Sequence, residues 1–509
     1  MLAWTIYISF IGVLAVMLLP RGNPRPARIV ALLTAIAGFG CAVGGFVQAQ
    51  PGEKQTIVQV PWIPSLGIEY HLSADGISLV LVLLTGLAAI AGILFSWNIE
   101  NRAKEFFAFY LALIGGVYGV FLSADLFLLF VFYELAIIPK YFLIAIWGST
   151  RKEYGAMKLA LYSFVGSAMV LIVLITAYVN AGMKTFDLNI LAGASLPHQI
   201  WAFPVIFIGF AILAGLWPFH TWAPTGHVAA PTAASMLLAG VVMKLGAYGC
   251  LRVAMTLYRQ GLVESWGFSV LGVGSWRELF SLLAVIGIVY GAMVALVQQD
   301  FKFVIGYSSV SHMGFVLLGL MTLNSLGLSG AVLQMFSHGI IAGLLFAIVG
   351  RMVYDRAHTR DLAQLQPMNL SRVLPFAAVT FIIASAASMG LPGFSGFVSE
   401  LQVLIGAWKA FPTLSVVAGV GILVGVAYTL RALQKAFFSD QEPAPAGVVG
   451  NSGHVGELEP ISVPERLGSI LLIGASVVIG VYPDILLKFI VPACSAVLTG
   501  CSPTAGIPQ

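Results

Sequence analysis

Apolar runs succeed one another along this chain, separated by short polar breaks. A helix that crosses a bilayer needs about 20 mostly apolar residues. With that window the sequence predicts about 14 spans, at roughly 2–19, 29–48, 75–96, 105–122, 124–147, 157–180, 199–217, 230–257, 277–298, 302–322, 326–352, 373–408, 412–437 and 466–487. Runs such as Ala31–Ala42 and Leu471–Val481 are continuously apolar. A membrane β-barrel would instead alternate over segments of about 10 residues. The first run is followed by Arg21 and Arg25, not preceded by charge, so it reads as an uncleaved first span and not a signal peptide.

Composition removes the soluble alternatives. Hydrophobic residues make up 59% of the 509 residues and charged ones only 9%, against about 25% charged in an ordinary soluble domain. A soluble enzyme, a disordered chain and a nucleic-acid binder are all excluded. Lys and Arg are unevenly shared: fifteen fall at loops after odd-numbered spans and six at the other loops and the tail. By the positive-inside bias the richer set is cytoplasmic and both termini are periplasmic, as in a multi-pass protein of a bacterial inner membrane.

Two spans are interrupted. Span seven ends in Gly215-Leu216-Trp217-Pro218-Phe219, and span twelve carries Gly390-Leu391-Pro392-Gly393-Phe394. Five spans separate them, an odd number, so spans 4–8 and 9–13 read as two inverted five-helix repeats with matched broken helices, a mark of transport folds. The expected division is helices 1–3 in residues 1–104, the first repeat in 105–257, the second in 277–437, a cytoplasmic loop in 438–465, and helix 14 with a tail in 466–509.

No P-loop, dinucleotide fingerprint or Cys/His metal spacing occurs, so the chain is expected to hold no cofactor and no metal of its own. Cys41 and Cys250 lie in apolar runs and read as buried thiols. Cys494 and Cys501 flank what reads as a short C-terminal turn, where a disulfide is conceivable on an oxidising side.

Charge at bilayer depth costs about 2.5–3.5 kcal/mol on insertion scales, so intramembrane ionisable groups are candidates for function. Glu134 lies near the middle of span five, with Lys140 six residues on, after Pro139. Lys244 is central in span eight, His312 lies in span ten, His338 is central in span eleven, and Glu400 follows the break of span twelve. Bland readings stand beside these. Glu134 and Lys244 form a structural ion pair; Ser308 and Gln334, each four residues back, hold ring nitrogens of His312 and His338; Lys302 and Arg252 snorkel to the surface. Carboxylates, ammonium groups and imidazoles on several helices suit proton transfer.

Three blocks carry a family resemblance. The first runs Trp217-Pro218-Phe219-His220-Thr221-Trp222-Ala223-Pro224, His227, Ala230-Pro231-Thr232-Ala233-Ala234-Ser235 and Leu238-Ala239-Gly240 to Lys244. The second is Tyr307-Ser308-Ser309-Val310-Ser311-His312-Met313-Gly314. The third is Gln334-Met335, Ser337-His338-Gly339, then His358-Thr359-Arg360. Over its whole length the chain resembles the antiporter-like, proton-pumping subunits of respiratory complex I. Among them it looks most like the chain M type, the counterpart of mitochondrial subunit 4; the chain L type carries a lateral helix for which little sequence follows span fourteen. The resemblance implies an all-α fold of 14 helices. It implies that Glu134 is the helix-five carboxylate, Lys244 the central lysine, His312 and His338 the connecting histidines and Glu400 the distal carboxylate, with Lys302, His220 and His227 in support. It also implies that flavin, iron–sulfur clusters and quinone belong to partner subunits, and that further antiporter-like subunits flank this one in the lipid bilayer.

The resemblance has a gap. The family's lysine in broken helix seven would fall at Leu213, and nothing from Ile206 to Trp217 is basic. Lys140 is an extra cation on helix five and is the expected substitute partner of Glu134, against a rival reading in which it snorkels. The family's Pro-Asp-Ala-His is here Pro224-Thr225-Gly226-His227. The other functions that share this fold are a subunit of a multi-subunit cation/proton antiporter or of a related membrane hydrogenase.

Overall fold

The computed structural model describes residues 1–20, 22–194, 196–270, 273–438 and 458–499. In chain order its helices are α1 (Ala3–Leu18), α2 (Pro24–Gln48), α3 (Gly76–Phe95), α4 (Ala103–Leu122), α5 (Leu126–Trp147), α6 (Lys152–Asn180), the short α7 (Leu188–Gly193), α8 (Gln199–Ala214), α9 (Trp222–Ala229), α10 (Thr232–Leu257), α11 (Trp276–Val297), α12 (Phe301–Met321), α13 (Ser325–Ala357), α14 (Pro375–Ser388), α15 (Ser395–Ala410), α16 (Pro412–Phe437), α17 (Val463–Val481) and α18 (Asp484–Thr499). Among the described residues twelve helices are long and apolar enough to cross a membrane, while Ala3–Leu18 and Pro375–Ser388 are apolar but shorter. Starts are fixed by side chains that take up orphan amides: Asp75 accepts from Ser78 N, Asp125 from Leu128 N, Asp300 from Lys302 N and Asn324 from Gly327 N.

Three helices, α3, α10 and α13, are buried on all sides. They pack on one another and form the central column. Helices α2, α6, α16 and α17 bury only one side, as expected for a lipid-facing rim.

Both predicted breaks are present. Helix α8 stops at Ala214, Gly215 turns with φ +88°, the Trp217–Pro218 bond is cis, and α9 resumes at Trp222. Trp222 Nε1 donates at 2.7 Å to the Ile212 carbonyl, which also accepts from Gly215 N at 3.2 Å, so the indole ties α9 back to the end of α8. Helix α14 stops at Ser388, Gly390 and Gly393 turn with φ +73° and +100°, and α15 starts at Ser395. Helix α10 carries π-helical turns at Leu238–Val242 and Cys250–Ala254, and α13 carries one at Ile348–Tyr354.

The structure corrects the sequence reading in three places. The fold is mostly helical but not all-α: β1 (Gln55–Ile63) pairs antiparallel with β2 (Ile68–Ala74), and β3 (Ser265–Val270) with β4 (Val273–Ser275). The β-branched Thr56, Ile57, Val58 and Val60 favour the first hairpin. The C-terminal stretch forms the helix α18, not a short turn. Its Leu486, Phe489, Ile490, Ala493, Cys494 and Val497 recur at helical spacing and are buried. Arg252 does not snorkel; it pairs with Asp75, whose carboxyl is raised by burial but held below its usual range by Arg252 and the Ser78 amide. Most of the loop expected at 438–465 lies outside the described residues, as does Cys501; Cys494 is a free thiol.

Candidate functional site

Lys244 sits in the central column, just after the first π-helical turn of α10, and is fully buried. Its Nζ donates to the Ala239 carbonyl inside that turn and meets His338 Nδ1, from α13, at 2.7 Å. An ammonium has donors only, so a charged Lys244 makes Nδ1 the acceptor and leaves the imidazole proton on Nε2. That nitrogen is buried with no partner among the described residues. The ring of His312, on α12, lies 5.4 Å from that of His338.

His312 is the next joint. Its Nδ1 lies 2.8 Å from Glu400 Oε1 on α15, and its Nε2 lies 3.3 Å from Ser388 Oγ at the end of α14. Gln334 Nε2, on α13, donates to the same Glu400 oxygen at 3.2 Å. A cavity with room for about one water is lined by His312, Gln334, His338, Ser388 and Glu400. The break in span twelve brings its own backbone to this place: a Cβ on Gly390 would lie 3.2 Å from Glu400 Oε2.

On the other side of Lys244 the groups are Lys302 and His227. Lys302 is buried; its Nζ donates to the Ala230 carbonyl at 2.9 Å and to Ser235 Oγ at 3.4 Å, so it does not snorkel. Ser235 Oγ donates in turn to the His227 carbonyl at 2.8 Å. The His227 ring is buried against Phe346 at 4.7 Å, both nitrogens without partners, and interacts electrostatically with both Lys302 and Lys244. Lys244, His338, His312 and Glu400 are thus linked by short contacts between α10, α13, α12 and α15, while Lys302 and His227 lie on the far side of Lys244, the His227 ring not hydrogen-bonded to either lysine among the described residues.

Glu134, Lys140 and His220 are not hydrogen-bonded into those contacts. Glu134 and Lys244 make no ion pair, against the structural reading offered above. Lys140 is buried, which rules out snorkelling, and it interacts electrostatically with Glu134. Yet Lys140 Nζ and Glu134 Oε1 are both buried with no hydrogen-bond partner among the described residues. Leu213, where the family's lysine is missing, is buried, and its carbonyl carbon would lie 3.0 Å from a Cβ on Gly246, two residues past Lys244. His220 packs edge-on against Tyr290 at 5.2 Å, with neither ring nitrogen bonded.

Sequence reasoning missed some partners. Ser308 and Gln334 do not hold the rings of the histidines four residues on; the rings are held across helices instead. Gln334 belongs to the third sequence block, but it carries no charge and its place beside His312 and Glu400 was not signalled. On the face with the β1–β2 hairpin, Glu69, His71 and Asp187 bring one ligand atom each within 4.8 Å of one another, a grouping that no short spacing in the sequence announced. All three are already engaged: His71 Nδ1 meets Asp187 Oδ2 at 2.6 Å, Asp187 Oδ1 caps α7, and Glu69 Oε2 accepts from Gln59 Nε2 at 2.7 Å. Asp125 beside them is pushed up to about 6, by burial first and by the nearby Asp187 charge, against the lowering effect of backbone donors.

Residues 123–425 match the family model for the transmembrane NADH:quinone oxidoreductase/Mrp antiporter proteins. NADH-quinone oxidoreductase subunit M of Pseudomonas aeruginosa is 36% identical over 505 residues, covering 95% of this chain and 94% of the relative. The chain belongs to the subunit M family of NADH-quinone oxidoreductase. A chain of respiratory complex I from Thermus thermophilus with bound NADH superposes with a TM-score of 0.86 at 27% identity, over 99% of this chain and 100% of that one. A chain of the Mrp complex from Dietzia sp. superposes with a TM-score of 0.83 over 97% of each chain, at 20% identity, which speaks for the shared fold alone. The candidate residues from His227 to Glu400 lie within the segment the family model covers.

Proposed function

We propose that the chain is the proton-translocating membrane-arm subunit of a complex I-type quinone oxidoreductase, and that protons move along Lys302, His227, Lys244, His338, His312 and Glu400. The observation that carries this reading is the Lys244–His338 contact at 2.7 Å. It joins the α8–α10 side of the molecule to the α12–α15 side within proton-transfer distance. The redox groups, flavin and iron–sulfur clusters, and quinone act in partner subunits, and further antiporter-like subunits flank this one. The distal Glu400 favours this reading over a cation/proton antiporter.

The finer architecture belongs to the same proposal. The chain crosses an inner membrane 14 times, α14–α15 counting as one broken span and α8–α9 as another. Inverted repeats are supported by a matched detail. Asp125 and Asp300 cap α5 and α12, and each bridges in antiparallel fashion to a second aspartate: Asp187, which caps α7, or Asp361, which caps a single helical turn at Leu362–Leu365. The Lys- and Arg-rich face is cytoplasmic, which puts Met1 and the β1–β2 hairpin in the periplasm and makes Glu400 the outer-side station. Lys140 replaces the missing lysine at Leu213 as modulator of Glu134, acting through the electrostatic interaction between the two buried groups.

The test is Glu400→Gln in the intact complex. It keeps shape and removes the titrating group, so the proton-to-electron ratio in inverted membrane vesicles is expected to fall. Full pumping in that variant refutes the route.

A further inference from the structure

The side chain of Gln334 occupies the joint between His312 and Glu400 without being ionisable. Its orientation is set from outside. Ser399 Oγ donates to Gln334 Oε1, with the Ser395 and Gly396 carbonyls as its other acceptors in reach. With its oxygen held by Ser399, the amide must present Nε2 to the joint. One N–H donates to Glu400 Oε1 at 3.2 Å; the same nitrogen lies 3.5 Å from His312 Nδ1. The helices approach closely enough for this because Gly330, one turn before Gln334, has no Cβ: one there would lie 2.7 Å from Val403 N on α15.

We propose that Gln334 is a positioning residue for proton exchange between His312 and Glu400, locked in orientation by Ser399. The inference rests on the proton route proposed above. In the exchange, a doubly protonated His312 gives its Nδ1 proton to the ionised Glu400 Oε1. A neutral imidazole, protonated on Nε2, and a neutral carboxylic acid result, and no proton is lost. Before transfer the Gln334 amide is a second donor on the charged oxygen, alongside His312 at 2.8 Å. After transfer the new Glu400 O–H donates back to the single lone pair of Nδ1, and the amide N–H stays on Glu400 Oε1 as a neutral donor. A neutral amide donor therefore serves both states, bonding the oxygen more strongly when it is charged. A lysine would hold the carboxylate charged, and a carboxylate would repel it.

The experiment uses Gln334→Met, of similar length but without a donor, and Ser399→Ala, which frees the amide to turn. Both are made in the intact complex in its own membrane. Two quantities are read: the proton-to-electron ratio, and the carboxyl C=O band of Glu400 in infrared difference spectra of turnover, assigned by its loss in Glu400→Gln. A hydrogen bond to a charged group is typically worth enough for about a tenfold change in an equilibrium. Gln334→Met is therefore expected to slow proton transfer about tenfold and to shift the band, and Ser399→Ala to shift it the same way by less. A purely packing role would change the amount of assembled complex and leave the band in place. An unshifted band with a full ratio in Gln334→Met overturns the proposal. If that variant does not assemble, the same result in Ser399→Ala overturns it. If Glu400→Gln itself pumps normally, the route fails first; if Glu400→Gln is silent while both other variants pump fully, only the role of Gln334 fails.

Discussion

Lys244→Met is the sharpest single perturbation of the proposed route. Among the described residues Lys244 bonds to the Ala239 carbonyl and to His338 Nδ1, and both contacts vanish with the ammonium. His338 then has neither ring nitrogen bonded, since Nε2 already lacks a partner. A buried acceptor left unmade costs about 1–3 kcal/mol. Against this, the variant no longer buries a charge, and replacing buried ions with apolar groups of similar size is often neutral or stabilising. The complex should therefore assemble at close to normal levels. A positioned proton-transfer group is worth about 100- to 10,000-fold, and Lys244 is the ionisable group that meets His338 Nδ1 from the α10 side. Transfer through this chain should fall by at least about 100-fold. The assay is acidification of inverted vesicles per electron delivered to quinone, with blue-native electrophoresis to confirm assembly. A Lys244→Met complex that assembles and pumps at the full ratio refutes the reasoning.

Two further predictions follow from other parts of the structure. Lys140→Met removes a buried ammonium with no hydrogen-bond partner, so thermal stability of the purified complex should hold or rise while pumping falls; unchanged pumping refutes the modulator role. Asp125 binds its proton more tightly folded, at about 6, than at the ordinary 3.8. Between those values the native state holds more protons than the unfolded one, so stability falls as pH rises across that window and is flat above it, by roughly 3 kcal/mol in all. Hydrogen-exchange protection of β2 at pH 4.5 and pH 7 checks this; equal or greater protection at pH 7 contradicts it.

The candidate site was legible in the sequence because charge is scarce within the spans. Lys244, His312, His338 and Glu400 stood out against apolar neighbours, and the Gly-Pro interruptions marked both broken helices. Partner choice was not legible. Sequence offsets of four suggested Ser308 and Gln334 as ring partners, whereas α10 brings Lys244 to His338 on α13, and α15 and the end of α14 bring Glu400 and Ser388 to His312 on α12. Snorkelling is a default for cations near span ends, and it failed for Lys140, Lys302 and Arg252 because each faces other helices. The β1–β2 hairpin and α18 were missed for a simpler reason: a search for long apolar runs passes over a nine-residue strand and a sixteen-residue amphipathic helix.

The claim that Lys244 and Glu400 are stations on one route is tested most directly by combining their variants. Groups acting in series are strongly non-additive, whereas independent ones add. The measurement is the proton-to-electron ratio of Lys244→Met, Glu400→Gln and the double variant in inverted vesicles with matched amounts of assembled complex. On one route, each single variant lowers the ratio and the double variant is no lower than the worse single. A double variant that loses the sum of the two separate losses, or a single variant at the normal ratio, contradicts the account.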